Sequence, residues 1–178
     1  MKGTICALLG QTMDMLNIIC RSSVKHLIVI ALILLGSMPA NVWGQELTRK
    51  ESIHMEDDIL HYINKYRAKK GLDALEMNNT ITDAAMVHSK RMARKAIPMG
   101  HDGFDERMHK LMSEIKGVNA AAENVAFGAT SAREVVDLWI HSPGHRKNIE
   151  GNYNITGIAI ASAADGSLYF TQIFLHKR

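Results

Sequence analysis

Both cysteines of this chain, Cys6 and Cys20, lie close to its N-terminus, so residues 45–178 must fold without a disulfide. That stretch has the length of one ordinary domain, which is enough to bury a hydrophobic core of its own. Small exported domains often depend on disulfides, whereas this one is expected to depend on core burial alone.

Residues 1–44 are predicted to be a signal peptide. Arg21 and Lys25 precede an unbroken apolar run, residues 27–35, and small residues follow it. As a helix this run spans roughly 14 Å, about half the hydrocarbon core of a bilayer. Cleavage before Gln45 would give a secreted or periplasmic protein with no membrane span in its mature form. An uncleaved membrane anchor is the alternative, because no charge interrupts the sequence from the apolar run to residue 44.

After residue 44 the chain is nearly neutral. Eighteen of its 21 basic residues and 17 of its 18 acidic residues lie there, which leaves a net charge of +1. This balance predicts no strongly basic surface, so nucleic acid is not an expected partner.

Four helices are predicted from the spacing of apolar residues, after a polar leader at residues 45–55. Acidic residues at the start of the first helix and basic residues at its end suit the helix dipole. Gly71, Pro98 and Pro143 are expected to end three of the helices, and His88 is expected to pack inside the second. The predicted helices cover residues 56–70, 82–95 and 105–115, and a fourth runs from a Ser131 cap to Pro143.

The C-terminal part of the sequence is typical of strands. Residues 155–161 are rich in Ile and Ala, and residues 168–175 are rich in aromatic and β-branched residues. Asp165-Gly166 between them is a strong hairpin signal. Four helices followed by a hairpin predict an α+β domain whose helices pack on an antiparallel sheet.

Two histidines and two glutamates are the candidates for chemistry. His101 is predicted to lie in a loop, and His145 follows the helix end at Pro143. Glu123 lies among alanines and a valine, where a buried carboxylate needs a partner. Glu134 is the fourth residue of a capping-box pattern, so helix capping is its alternative role. If they converge, these side chains suit a divalent metal or acid–base chemistry.

Several motifs, in order along the chain, resemble the CAP superfamily, also called SCP, which includes cysteine-rich secretory, antigen 5 and pathogenesis-related 1 proteins. The absence of cysteine after residue 44 resembles its compact bacterial members. The resemblance implies a CAP domain over residues 56–178, folded as an α–β–α sandwich with about four helices on the two sides of the sheet. The motifs are Ile63-Asn64-Lys65-Tyr66-Arg67, Ala122-Glu123-Asn124, Ser142-Pro143-Gly144-His145-Arg146-Lys147-Asn148 and Gly157-Ile158.

The resemblance also implies a cavity lined by two histidines and two glutamates. The histidines are then candidate ligands of a divalent metal such as zinc, and the glutamates are candidate catalytic groups. These residues are His101 and His145 with Glu123 and Glu134, and Asn124 and Ser142 are expected to support them.

Function is less constrained than fold. The preferred hypothesis is a secreted module that binds a lipid, cell-wall or protein ligand and has some affinity for a divalent metal. The alternative is a peptidase-like hydrolase that uses a metal or a His/Glu general base, so enzymatic activity is left open. The chain has no H-E-x-x-H motif and no convincing serine nucleophile. In a third interpretation, the four side chains only stabilise the fold.

Overall fold

The computed structural model describes residues 47–178, so the predicted signal peptide and both cysteines lie outside the described residues. Between residues 47 and 178, none of the helices is long and apolar enough to cross a membrane. The helices are α1 (Arg49–Lys69), α2 (Asn79–Ala93), α3 (Phe104–Glu114), α4 (Ala132–His141) and α5 (Pro143–Ile149); the strands are β1 (Glu76–Met77), β2 (Val118–Phe127), β3 (Ile155–Ser162) and β4 (Leu168–Lys177).

The four strands of the described residues form one sheet in the order β1-β3-β4-β2, which leaves β2 at an edge. β3 and β4 form the antiparallel hairpin that the sequence predicts, and β2 pairs with β4, also antiparallel. β1 departs from the expected antiparallel sheet, because it pairs parallel with β3 through Glu76 and Met77. Since β1 has only two residues, the sheet is mixed at that edge alone.

The sheet lies between two layers of helices. Successive side chains of a strand point to opposite faces, so alternate residues enter different cores. On one face, Ile158, Phe170 and Phe174 pack with the apolar sides of α1, α4 and α5. On the other face, Ala159 and Ile173 pack with α2 and α3. The α–β–α sandwich of the sequence analysis is therefore confirmed.

Two helices begin earlier than predicted. α1 starts at Arg49 rather than at residue 56, so much of the predicted polar leader is helical. Thr48 and Glu51 form a complete capping box: Thr48 Oγ1 accepts from the Glu51 N–H, and the Glu51 carboxylate accepts from the Thr48 N–H. α2 starts after an Asn78 cap. Periodicity missed the first turns of α1 because their side chains are mostly polar.

The sequence analysis predicts neither β2 nor α5. β2 contains three consecutive alanines, Ala120–Ala122, which have a low strand propensity and show no alternation of polar and apolar residues. Pro143 does end α4, but it also begins α5, because a proline at the first position of a helix loses no hydrogen bond.

Gly157 brings β3 directly against the backbone of α2. A Cβ atom at this position would overlap the main-chain atoms of Ile81 and Thr82 at the start of α2. Main chain on two packed elements cannot move aside as a flexible side chain can. The close approach of β3 to α2 therefore requires glycine at this position.

The Gly157→Ala substitution is expected to lower the free energy of unfolding by about 3 kcal/mol, because the added methyl group overpacks the contact between β3 and α2. Urea denaturation followed by circular dichroism measures this loss. Gly144→Ala is the matched control, since a Cβ atom there meets nothing within 4 Å. Equal stability of the two variants would contradict the proposed close approach.

Candidate functional site

The site is built around the carboxylate of Glu123 on β2. The residue is 4% exposed and lies on the face of the sheet that packs against α2 and α3. Arg107 of α3 pairs with it through two nitrogens: Nε lies 3.0 Å from Oε2, and Nη2 lies 2.8 Å from Oε2 and 2.9 Å from Oε1. The planar guanidinium group matches the carboxylate, so the buried negative charge is neutralised.

His101 contacts the same carboxylate from the loop between α2 and α3. Its Nδ1 lies 3.0 Å from Glu123 Oε1, and its side chain is 48% exposed. An ionised carboxylate only accepts hydrogen bonds, so Nδ1 carries the proton and donates it. In the neutral ring, Nε2 then keeps a free lone pair, which can accept a proton or bind a ligand.

His88 of α2 lies near His101 and Glu123. It is 1% exposed, in agreement with its predicted packed role. Its Nε2 donates to the carbonyl of Gly100 at 2.8 Å and lies 3.8 Å from Glu123 Oε1. Burial is the main reason that the pKa of His88 lies below its usual value, with smaller opposing effects from Gly100 and Glu123. His88 therefore favours the neutral form beside the ion pair.

Sequence reasoning missed Arg107 as a member of the site. A signal was present, because Arg107 lies four residues before Leu111 and so shares the buried side of α3. A basic residue on an apolar helix stripe needs a buried acidic partner, and Glu123 is that partner.

Asn124, the next residue of β2, points to the opposite face and fixes α5. It is fully buried, and its Nδ2 donates to the main-chain carbonyl of His145 at 3.1 Å. Its Oδ1 accepts from Asn148 Nδ2 at 2.8 Å. The expected supporting role of Asn124 thus has a geometric basis, because this side chain holds the helix that carries His145.

Side chains from α4 and α5 cover part of the free edge of β2. Asn148 Nδ2 donates to the Glu123 carbonyl at 3.1 Å, and the indole Nε1 of Trp139 donates to the Val125 carbonyl at 3.2 Å. The main-chain oxygens of residues 123 and 125 therefore point away from β4 and towards these two helices.

His145 lies on α5 and is partly buried, and its main-chain carbonyl contacts Asn124 of β2. Its pKa is lowered first by burial and second by the nearby positive charge that His101 can carry. His101 contacts Glu123 from the layer of α2 and α3, whereas His145 lies in the opposite layer on α5, where its main-chain carbonyl accepts from Asn124. The lowered pKa of His145 favours its neutral form.

Glu134 does not join these residues. Its Oε2 accepts from the Thr130 N–H at 2.8 Å and from Thr130 Oγ1 at 2.9 Å, and its side chain is exposed at the first turn of α4. These bonds lower its pKa. The capping alternative describes its position better, although the carboxylate accepts from Thr130 and not, as a capping box requires, from the main chain of Ser131.

Ser142 connects α4 and α5 through its main chain. Its N–H donates towards the end of α4, and its carbonyl accepts from the Arg146 N–H at 2.8 Å. Its side chain makes no capping hydrogen bond at the start of α5. Ser142 therefore positions the turn before His145 through backbone contacts.

The donor set differs from that of a catalytic zinc site, which has three protein ligands. Among residues 47–178, no three His, Cys, Asp or Glu side chains are grouped so that they could share a metal. Glu123 is already paired with Arg107 and orients His101, as carboxylates do behind metal-binding histidines. A metal held here would have only the imidazoles of His101 and His145 as protein ligands.

A family model described as CAP, the cysteine-rich secretory protein family, matches residues 60–174. The chain is 33% identical over 129 residues to the uncharacterized protein YkwD of Bacillus subtilis. This match covers 68% of this chain and 47% of YkwD. It is 25% identical over 139 residues to the uncharacterized membrane protein YlbC of the same organism. This second match covers 75% of this chain and 38% of YlbC. The chain thus spans less than half the length of these two relatives.

Solved structures show the same fold. An outer surface protein from Borrelia burgdorferi has a TM-score of 0.63 and 22% identity, covering 76% of this chain and 99% of that one. An extracellular protein of Bacillus anthracis that contains an SCP domain has a TM-score of 0.60 and 23% identity. The superposition covers 75% of this chain and 45% of the Bacillus anthracis protein.

Replacing Arg107 by glutamine is expected to lower the free energy of unfolding by about 3–5 kcal/mol, because the buried charge of Glu123 would lose its arginine partner. Chemical denaturation measures the loss. Arg91→Gln, at an exposed position on α2, is the matched control and is expected to change stability by less than about 0.5 kcal/mol. Similar losses in both variants would mean that the pair does not stabilise the fold.

His88 is expected to make stability depend on pH. Because burial lowers the pKa of His88, the unfolded chain binds a proton below pH ~6.5 that the folded chain resists, so stability falls as the pH falls through that range. His88→Gln keeps a donor for Gly100 but does not titrate. The stability of the protein relative to this variant should decrease below pH ~6.5, by at most about 1.4 kcal/mol per pH unit. A constant difference would contradict this assignment.

Proposed function

This chain belongs to the cysteine-rich secretory protein (CAP) family, and we propose that it is an exported module that binds a ligand between His101 and His145. The pairing of Arg107 with Glu123 is the observation that supports this most directly. Since the carboxylate is neutralised and holds His101 in place, the two imidazoles are the groups left to meet a ligand.

Export is part of the proposal. The predicted signal peptide, with its short apolar run at residues 27–35, supports it. Two proteins of the same fold are described as an outer surface protein and an extracellular protein.

The chemistry of the two imidazoles indicates the kind of ligand. Burial lowers the pKa of His145 and so favours its neutral form, and His101 has its Nδ1 proton committed to Glu123. Both rings can then accept hydrogen bonds from hydroxyl or amide groups, which lipid, cell-wall and protein ligands all carry.

A divalent metal would be held by His101 Nε2 and one nitrogen of His145, with Glu123 orienting His101. Such a metal would polarise a bound ligand, and its remaining positions would go to water or to that ligand. With two protein ligands the affinity is expected to be weaker than micromolar.

A calorimetric titration with zinc chloride tests the site. The protein is expected to bind zinc saturably, and the His101→Ala/His145→Ala variant is expected to lose this binding. The matched control, His54→Ala/His61→Ala, removes two exposed histidines of α1 and should bind as the parent does. Equal loss in both variants would place the metal elsewhere, and no binding by the folded protein would remove metal from the proposal.

The ligand part is tested separately by thermal shift with peptidoglycan fragments, sterols and peptides. A compound that stabilises the protein but not the His101→Ala/His145→Ala variant would support the proposal. Compounds that stabilise both equally would show that the ligand binds away from His101 and His145.

Hydrolysis is a second candidate, because a histidine oriented by a carboxylate is the arrangement of a general base. No hydroxyl or thiol group within residues 47–178 hydrogen-bonds to His101, so water would be the nucleophile. Cleavage of a peptide substrate that disappears in the His101→Ala variant would favour this candidate over simple binding.

A further inference from the structure

A second candidate site is a groove between α1 and α4, and none of its lining residues belongs to the site around Glu123. It has a volume of about 300 Å³, with Val136 and Ile140 on one side and the rings of Tyr62 and Tyr66 on the other. We propose that this groove binds a linear phosphodiester polymer, a chain of polyol or sugar units joined by phosphates.

The charge of the groove supports an anionic ligand. Lys65 and Lys69 of α1 and Arg133 of α4 line it, and Asp137 is the one acidic residue among its lining side chains. None of the three basic side chains forms an ion pair with another described residue. The groove therefore keeps an excess of positive charge for a ligand to neutralise.

Arg133 is held in place for this role. Its guanidinium carbon lies 5.2 Å from the centre of the Tyr62 ring. A cation over an aromatic face is stabilised there, and the N–H groups at the edge of the guanidinium plane remain able to donate. Two parallel N–H donors match two oxygens of a phosphate group.

The neighbouring acidic residue Glu150 already has a cationic partner. The hydroxyl of Tyr66 donates to Glu150 Oε1 at 2.6 Å, and Lys70 Nζ lies 3.5 Å from the same oxygen. A polyanion passing Tyr66 therefore meets little repulsion from Glu150.

The spacing of the basic residues favours a repeated charge over a single one. Lys65 and Lys69 are four residues apart, so they lie on one side of α1, separated along its axis by roughly 6 Å. Arg133 faces them across the groove. A chain with one phosphate per unit can contact several of these groups, while its carbon atoms pack against the apolar side chains.

Single-stranded nucleic acid fits the groove less well. Proteins that bind it use open aromatic faces on which the bases stack. Here Arg133 covers a face of Tyr62, and Lys70 Nζ lies 5.4 Å from the centre of the Tyr66 ring. Because the rings hold cations, the groove is better suited to a polyanion without bases.

Calorimetry of the full chain with poly(glycerol phosphate) at about 50 mM salt tests the proposal, and the affinity should fall as salt is raised. Lys65→Gln/Lys69→Gln is expected to weaken binding by roughly tenfold or more. The matched control, Lys90→Gln/Arg94→Gln, removes two basic residues at the same spacing, one in the last turn of α2 and one directly after it, and should bind within about twofold of the parent.

Arg133→Lys keeps the charge but loses the planar donors, so it is expected to bind more weakly than the parent and more tightly than Lys65→Gln/Lys69→Gln. Circular dichroism verifies the fold of each variant. Equal losses in the two double variants, equal binding of polygalacturonate or single-stranded DNA, or no saturable binding would overturn the proposal. The zinc titration of Lys65→Gln/Lys69→Gln should match that of the parent, because the two sites share no residue.

Discussion

A buried carboxylate at the edge of a sheet is the constraint on which the candidate site depends. Glu123 cannot remain charged inside the fold without a partner, and Arg107 supplies one from α3. This requirement fixes α3 against the sheet. It also fixes the loop that precedes α3, where Gly103 has a left-handed backbone (φ 70°) and the carbonyl of His101 accepts from the Phe104 N–H. The ion pair thus determines where His101 lies.

Adjacent residues of β2 hold opposite sides of the site. Glu123 faces α2 and α3, whereas Asn124 faces the other layer and binds the main chain of α5. Because the strand alternates its side chains, one dipeptide at the sheet edge connects both helical layers. Because β2 is an edge strand, the loop that carries His101 and the helix that carries His145 both contact it, one from each layer.

The sequence predicted the parts of the fold that depend on local patterns. The apolar stripes of four helices, the hairpin and the sandwich follow from periodicity, from turn residues and from the family resemblance. β2 was missed because its alanines carry no strand signal, and its conformation is imposed by pairing with β4. α5 was missed because Pro143 both ends one helix and begins the next.

The site could be predicted only in part. His101, Glu123 and His145 come from separate elements that the tertiary fold brings together. Glu134 matched the motif, yet the first turn of α4 directs its side chain to Thr130. Arg107 shows the opposite case, since it matched no motif and is recognised only when a buried partner for Glu123 is sought.

The covered edge of β2 has a consequence for how the protein behaves at high concentration. A free strand edge exposes main-chain groups that can pair with another molecule and start aggregation. At Glu123 and Val125 the outward carbonyls already accept from Asn148 and Trp139, so a second chain finds these acceptors occupied. The contacts that place His145 beside the strand therefore also oppose edge-to-edge self-association, in a domain that has no disulfide to limit transient opening.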